Sequence, residues 1–214
     1  MALLEFLKFD TDEEAKTVYW HSSAHILGEA LEHLYGSRLT IGPPLAGGAL
    51  AGGFYYDSYM GTGPDAAFKE EDLVNVQKEV NKIAKQKQKF ERMVVTKDEA
   101  LDLFKGNPFK EQIITNKVPD GTRTTVYKCG DLIDLCRGPH ITHTGKVKAF
   151  DTTQLSATNW LGDTNRDSLQ RIYGISFPDK KKLKVWKENI EKVSYYDDNG
   201  FSDVAASWVL EIAV

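Results

Sequence analysis

Apolar and polar positions follow two different periods along this chain. After Asp10-Thr11-Asp12-Glu13-Glu14, the residues Val18, His21, Ala24, His25, Leu27, Gly28 and Leu31 recur at spacings of three and four. That period predicts a helix with one apolar or functional face. The opening acids supply an N-cap and suit the helix dipole, and Gly36 offers a stop. Gly42 to Gly53, rich in glycine and proline, predicts a loop, and Phe54-Tyr55-Tyr56-Asp57 a strand. Gly61 to Pro64 predicts a turn. Ala66 to Phe104 reads as mostly helical, with Leu73, Val76, Val80 and Ile83 as its stripe and Met93 to Thr96 as an interrupting strand. From Phe109 to Phe150 the pattern becomes β-rich, with strands expected at Ile113-Ile114, Thr124 to Tyr127, Leu132 to Cys136 and Val147 to Phe150. Pro119-Asp120-Gly121 marks a turn. Another strand and turn are expected over Trp160 to Ile175. A last helix is expected from Pro178 to about Val193, with Leu183 and Trp186 inward. The expected architecture is α+β: a long helix carrying His21 and His25, packed on an antiparallel sheet with a pocket between them.

Composition narrows the functional classes. The chain has 214 residues, enough for a real core. Its net charge of −4 and pI near 5.8 exclude a protein that coats nucleic acid by bulk charge, but not one with a local basic patch. No apolar run approaches the ~20 residues a membrane helix needs, so no membrane partner is expected. Met1 to Asp10 carries Glu5 and Lys8 and does not read as a secretory signal. Two cysteines, Cys129 and Cys136, cannot form a disulfide framework and suggest a reducing, intracellular setting.

The chemistry concentrates in two pairs. His21 and His25 are four apart, so both imidazoles share one helix face. Cys136 and His140 flank Arg137-Gly138-Pro139, a turn that points both at one space. One histidine on a helix face is most often a hydrogen-bonded core residue, and one cysteine a small hydrophobe. Here four of the seven His and Cys residues fall into the two pairs. Three readings fit: a tetrahedral zinc set, a nucleophile with its base, or a metal-free water-activating pocket. Position 22 is Ser, so the helix lacks the Glu of a zinc-protease helix. His33, His143 and Cys129 read as structural or solvated.

His21-Ser22-Ser23-Ala24-His25-Ile26-Leu27-Gly28 and Cys136-Arg137-Gly138-Pro139-His140 resemble the paired motifs of threonyl-tRNA synthetase editing domains of the eukaryotic type. Gly42-Pro43, Gly53-Phe54-Tyr55-Tyr56-Asp57 and Leu169-Gln170-Arg171-Ile172-Tyr173-Gly174 continue the resemblance, the last after Trp160 and Gly162-Asp163. It runs from about Leu4 to about Lys192.

The resemblance implies the fold shared by threonyl- and alanyl-tRNA editing proteins. It also implies hydrolysis of mischarged Ser-tRNA(Thr) in the cytoplasm. Serine lacks one methyl of threonine, worth only ~1–3 kcal/mol in a binding pocket, so a second, smaller site is needed. On that resemblance His21 and Lys110 position or activate the water, and His25, Cys136 and His140 complete the catalytic wall. Asp134 binds the α-amino group, and Tyr56, with Tyr55, meets the terminal adenosine. Arg137 contacts phosphate or pairs structurally, as does Arg171. No cofactor or metal is expected, and zinc at His21, His25, Cys136 and His140 is the alternative. Taken without the resemblance, Lys110, Tyr56 and Asp134 read as ordinary structural or surface residues. The expected partners are the tRNA(Thr) acceptor end carrying serine and a synthetase catalytic domain in cis or in trans. Two lysine-rich runs, Lys78 to Arg92 and Lys180 to Lys187, are candidate phosphate contacts.

Three departures from that family stand out. Leu45 to Gly52 lengthens the link before Gly53, the class II aminoacylation motifs are absent, and Ser194 to Val214 does not resemble the family's linker. The expected division is therefore an editing domain over 1–193 and an extension over 194–214, without aminoacylation by this chain alone. The competing readings are a zinc-dependent alanyl-tRNA editing deacylase and a non-catalytic tRNA-binding module.

Overall fold

A computed structural model describes residues 9–45, 52–63 and 66–198. In chain order its elements are α1 (Glu13–Tyr35), β1 (Arg38–Leu39), β2 (Pro44–Leu45), β3 (Gly53–Tyr59), α2 (Glu70–Gln86), β4 (Phe90–Thr96), α3 (Lys97–Leu103), α4 (Pro108–Lys117), β5 (Arg123–Cys129), β6 (Leu132–Leu135), β7 (Ala149–Asn159), β8 (Ser168–Phe177) and α5 (Lys180–Asp198). The fold is α+β, with antiparallel pairing throughout.

The long first helix forms where its sequence pattern places it. The Asp12 side chain accepts from the Glu14 and Ala15 amides, and Gly36 closes the helix at φ 58, a left-handed conformation glycine adopts without strain. Its residues from Tyr19 to Leu31 are buried on nearly every side, apart from the half-buried His21. The helix is therefore the axis of the main core, with Phe54, Tyr56 and Ile172 packed against it.

The strands form two sheets rather than one. The larger runs β1-β3-β8-β7, with β2 also pairing β3, and the smaller runs β4-β5-β6. A second core of Val95, Ala100, Phe104, Ile114, Val118 and Val126 fastens α3 and α4 to the small sheet. This division relocates the expected pocket. It lies between α1 and the small sheet, and the large sheet contributes Tyr56 from β3.

Four local expectations are corrected. Ile113 and Ile114 lie in α4, because Asn107 caps that helix and Pro108 opens it, so the chain turns before β-branched preference can act. The strand expected at Val147 to Phe150 begins at Ala149 and continues to Asn159, held by its ladder to β8. Pro44 and Leu45 pair with β3 inside the expected loop. The last helix reaches Asp198, past the expected boundary at 193. Residues 46–51 of the lengthened link, Pro64 of the expected turn, Met1 to Lys8, and 199–214 lie outside the described residues.

Candidate functional site

Helix α1 presents His21 and His25 on one face, and the turn after β6 brings Cys136 and His140 opposite them. Their four ligand atoms, three imidazole nitrogens and one thiol sulfur, all lie within 4.8 Å of one another. Cys136 Sγ is 3.3 Å from His21 Nε2 and 3.1 Å from His140 Nε2. The turn needs Gly138, at φ 65, since a Cβ there would lie 2.2 Å from the Tyr127 hydroxyl.

Ser22 sets the orientation of His140. Its hydroxyl hydrogen goes to the Val18 carbonyl at 2.7 Å, which can only accept. Ser22 Oγ lies 3.1 Å from His140 Nδ1 and accepts from the Ile141 amide at 3.0 Å. His140 Nδ1 must therefore carry the proton, which leaves the Nε2 lone pair facing Cys136. Phe90 stacks on the His140 ring at 5.0 Å, and Tyr127 meets it edge-on at 4.5 Å. None of these supports was read from sequence. Ser22 was legible only as a position lacking Glu, although a serine inside a helix that bonds back to its own turn leaves an oxygen free to accept.

A second constellation adjoins the first. Lys110 enters from the first turn of α4, where Asn107 Oδ1 accepts from its amide. Its ammonium donates to Asp134 Oδ1 at 2.5 Å, and the Tyr56 hydroxyl donates to Oδ2 at 2.5 Å. His25 Nδ1 lies 3.5 Å from the same Oδ2. Lys110, Asp134, Tyr56 and His25 are all buried. Gly28 and Gly42 make the seat for Tyr56: a Cβ would come within 2.8 Å of its ring from Gly28 and 2.4 Å from Gly42.

Burial sets the protonation states. It pushes the His25 imidazole down to about 4, against the pull of Asp134, and lowers His21 and His140 as well. The His25–Asp134 contact is thus a neutral ring beside a carboxylate, not an ion pair. Burial would raise Asp134, but Lys110, His25 and Tyr56 together hold it below the ordinary carboxylate range. The Cys136 thiol is pushed up to about 12, chiefly by burial. A thiol so placed is a poor nucleophile at neutral pH.

The donor set corrects the expectation of a pocket with no metal and no cofactor. Three neutral imidazoles and a thiol converge within bonding reach of a common centre, a set typical of tetrahedral zinc. The contacts of His25 with Asp134 and of His140 with Ser22 are the outer supports that metal-bound histidines use. The residues present therefore fit a divalent metal.

The structure brings His21, His25, Cys136, His140, Lys110, Asp134 and Tyr56 together, but not Tyr55 or Arg137. Tyr55 points from the opposite face of β3, with the Arg171 guanidinium 3.7 Å over its ring. Arg171 itself is committed to a bidentate pair with Asp57 at 2.6 and 2.8 Å. Arg137 is exposed beside the cluster. His33 sits outside the site, 3.2 Å from Glu79, and Cys129 is buried away from it. Among the described residues no helix is long and apolar enough to cross a membrane.

Residues 124–173 match the threonyl and alanyl tRNA synthetase second additional domain. The chain is 50% identical over 196 residues to a cytoplasmic threonine–tRNA ligase of Caenorhabditis elegans, covering 92% of this chain and 26% of that protein. It is 50% identical over 194 residues to the cytoplasmic threonine–tRNA ligase 1 of Homo sapiens, covering 91% of this chain and 25% of that protein. With a mitochondrial threonine–tRNA ligase of Arabidopsis thaliana the identity is 47% over 194 residues, again 91% of this chain and 26% of that protein. The chain thus spans about a quarter of the length of the curated relatives it matches.

Proposed function

We propose that this chain, which belongs to the threonyl-tRNA synthetase editing-domain family, acts on tRNA as a deacylase that hydrolyses the ester of Ser-tRNA(Thr). The editing unit is assigned through the end of α5 at Asp198, past the expected boundary at 193, working with a synthetase catalytic domain in cis or in trans, in the cytoplasm as the names of most of these relatives suggest. The observation that carries the reading is the buried Lys110–Asp134–Tyr56 triad beside the His and Cys cluster. A carboxylate kept ionised inside a protein, within reach of a cation, is costly unless something uses it.

The groups divide the chemistry as follows. Asp134 is an acceptor for the seryl α-ammonium, and Tyr56 fixes the carboxylate's orientation. Lys110 places positive charge where oxyanion density grows on the ester carbonyl. His21, neutral and half-buried, accepts the proton of the attacking water when its acceptor nitrogen is not engaged by a metal. Collapse of the tetrahedral intermediate breaks the acyl C–O bond, the ribose hydroxyl of the terminal adenosine leaves with that proton, and free serine departs. His21, His25, Cys136 and His140 would hold a divalent metal, which with His21 so engaged would take over its part by supplying Lewis acidity toward the carbonyl or the water. Threonine is rejected by the steric cost of its extra methyl, since binding alone separates the two by only about 10- to 200-fold.

The test is deacylation of Ser-tRNA(Thr), Thr-tRNA(Thr) and Ala-tRNA(Ala), with bound metal measured before and after chelation. Serine-selective turnover is expected. Turnover of Ala-tRNA(Ala) instead would move the chain to the alanyl editing class. No turnover with intact tRNA affinity would make it a binding module.

A further inference from the structure

Three carboxylates, each from a different element, surround the imidazole of His33 in the last turn of α1. Glu29 lies one turn back on the same helix, its Oε1 3.9 Å from His33 Nε2. Asp131, in the tight turn between β5 and β6, brings Oδ2 to 3.6 Å from the same nitrogen. Glu79 of α2 stands on the other side of the ring, its Oε1 3.2 Å from Nδ1.

A neutral imidazole cannot serve both sides. With its proton on Nδ1, given to Glu79, the ring turns a lone pair toward two carboxylates. With the proton on Nε2, the lone pair faces Glu79 instead. A ring that carries both protons is attracted on both sides. The partial negative charge at this end of α1 favours that cation as well.

The Glu29 side chain is only 1% exposed. Its Oε1 accepts from Gln88 Nε2 at 2.8 Å, and among the described residues Oε2 finds no hydrogen-bond partner. Burial raises the Glu29 carboxyl, while Gln88 and His33 oppose the rise. Glu32 of α1 also feels the His33 charge, and Lys82 of α2 shares Glu79 at 3.0 Å. Cys129 faces Glu29 as a neutral thiol, pushed up by burial and by that carboxylate.

The turn that His33 reaches leads straight into the site. A Cβ at Gly130, whose φ is 59, would lie 2.4 Å from both Glu29 Oε1 and Gln88 Nε2, so the turn rests directly on the α1 carboxylate. Asp134 and Cys136 follow on the same hairpin, whereas His21 and His25 belong to α1. His33 therefore joins the two halves of the site from outside it.

We propose that doubly protonated His33 is a positioning residue: it clamps the β5–β6 turn to α1, sets Asp134 and Cys136 against His21 and His25, and releases the turn when the ring loses its second proton. This role rests on the reaction assigned above, but its first test needs no hydrolysis. Backbone amide exchange over 130–136 would be measured in the full chain at pH 5.5 and 8.5, for wild type, His33→Gln and His33→Lys. Ratios taken at one pH cancel the chemical exchange rate. At pH 5.5 the His33→Gln amides should exchange about 1.4- to 5-fold faster than wild type, the span of one exposed ion pair. At pH 8.5 the two should coincide. His33→Lys, a cation at both values, should match wild type at pH 5.5 and exchange more slowly than wild type at pH 8.5. Asp131→Asn should reproduce the His33→Gln pattern. Equal ratios at the two pH values would overturn the proposal, because a neutral packing contact does not titrate. So would a His33→Lys chain that behaves as His33→Gln does. In the deacylation assay the ratio of wild-type to His33→Gln rates should follow the same pH course, and a flat ratio in an active chain would overturn the positioning role. A chain with no deacylation would overturn the assigned reaction, while the exchange ratios would still decide the clamp.

Discussion

Lys110 Nζ lies 2.5 Å from Asp134 Oδ1, and both side chains are only 5% exposed. A buried pair of this kind adds little over an apolar replacement, but breaking it strands a charge. Lys110→Met should therefore cost about 3–5 kcal/mol of stability and abolish deacylation. Lys110→Met combined with Asp134→Asn should recover part of the stability and none of the activity. Denaturant unfolding of the two single variants and the double, read as a double-mutant cycle, checks this. Additive losses would mean that the two groups act independently.

Tyr56 reaches Asp134 only because nothing stands behind its ring. Gly42→Ala places a methyl group 2.4 Å from that ring. The ring must move, and overpacking of this sort costs about 1–3 kcal/mol. The shift should also lift the hydroxyl off Asp134 and lower the deacylation rate. Gly36→Ala is the control: its Cβ meets no atom within 4 Å, and only the left-handed φ of 58 is strained. It should lose about 1 kcal/mol and no activity. Equal activity in the two variants would separate Gly42 from the site.

What the sequence disclosed and what it hid follow the range of the forces involved. The first helix, its caps and the two ligand pairs were legible because they depend on residues within a turn or two. The two-sheet division was not, because strand order rests on pairings such as Tyr56 with Ile172 and Tyr127 with Asp134 that no local pattern encodes. Residues 151–159 are polar enough to hide a strand that exists through its ladder to β8. Ile113 and Ile114 misled because the Asn107-Pro108 helix start outweighed β-branched preference. The metal-free expectation came from family resemblance rather than from the residues, whose donor chemistry had already allowed zinc.

Ser22 gives the cluster a measurable support. Ser22→Ala removes the acceptor for His140 Nδ1 and for the Ile141 amide. Leaving a buried donor unpaired costs about 1–3 kcal/mol. Freed from its partner, the His140 ring should also lose its fixed tautomer, and zinc affinity should fall by about 10- to 100-fold. Competition against a chromophoric chelator measures this. An unchanged zinc affinity in folded Ser22→Ala would remove the serine from the support of the site.

Glu32 continues the His21–His25 face of α1 and should leave a signature in the pH dependence of stability. Burial, helped by Asp134 and opposed by Lys110 and His33, raises its carboxyl to about 7; Glu29 adds to the rise. A group whose folded pKa lies above its unfolded value of 4.5 stabilises the fold fully below that value. Its contribution is lost as pH rises through about 7. The buried histidines act with the opposite sign, since His25 at about 4 lies below its unfolded value, so the wild-type curve alone mixes the two. Glu32→Gln isolates the carboxyl. Relative to wild type, the variant should gain about 1–3 kcal/mol between pH 4.5 and 7, the figure being reduced for the partial exposure of Glu32. Thermal midpoints of both proteins across that window test it, and parallel curves would mean that Glu32 titrates as it does in the unfolded chain.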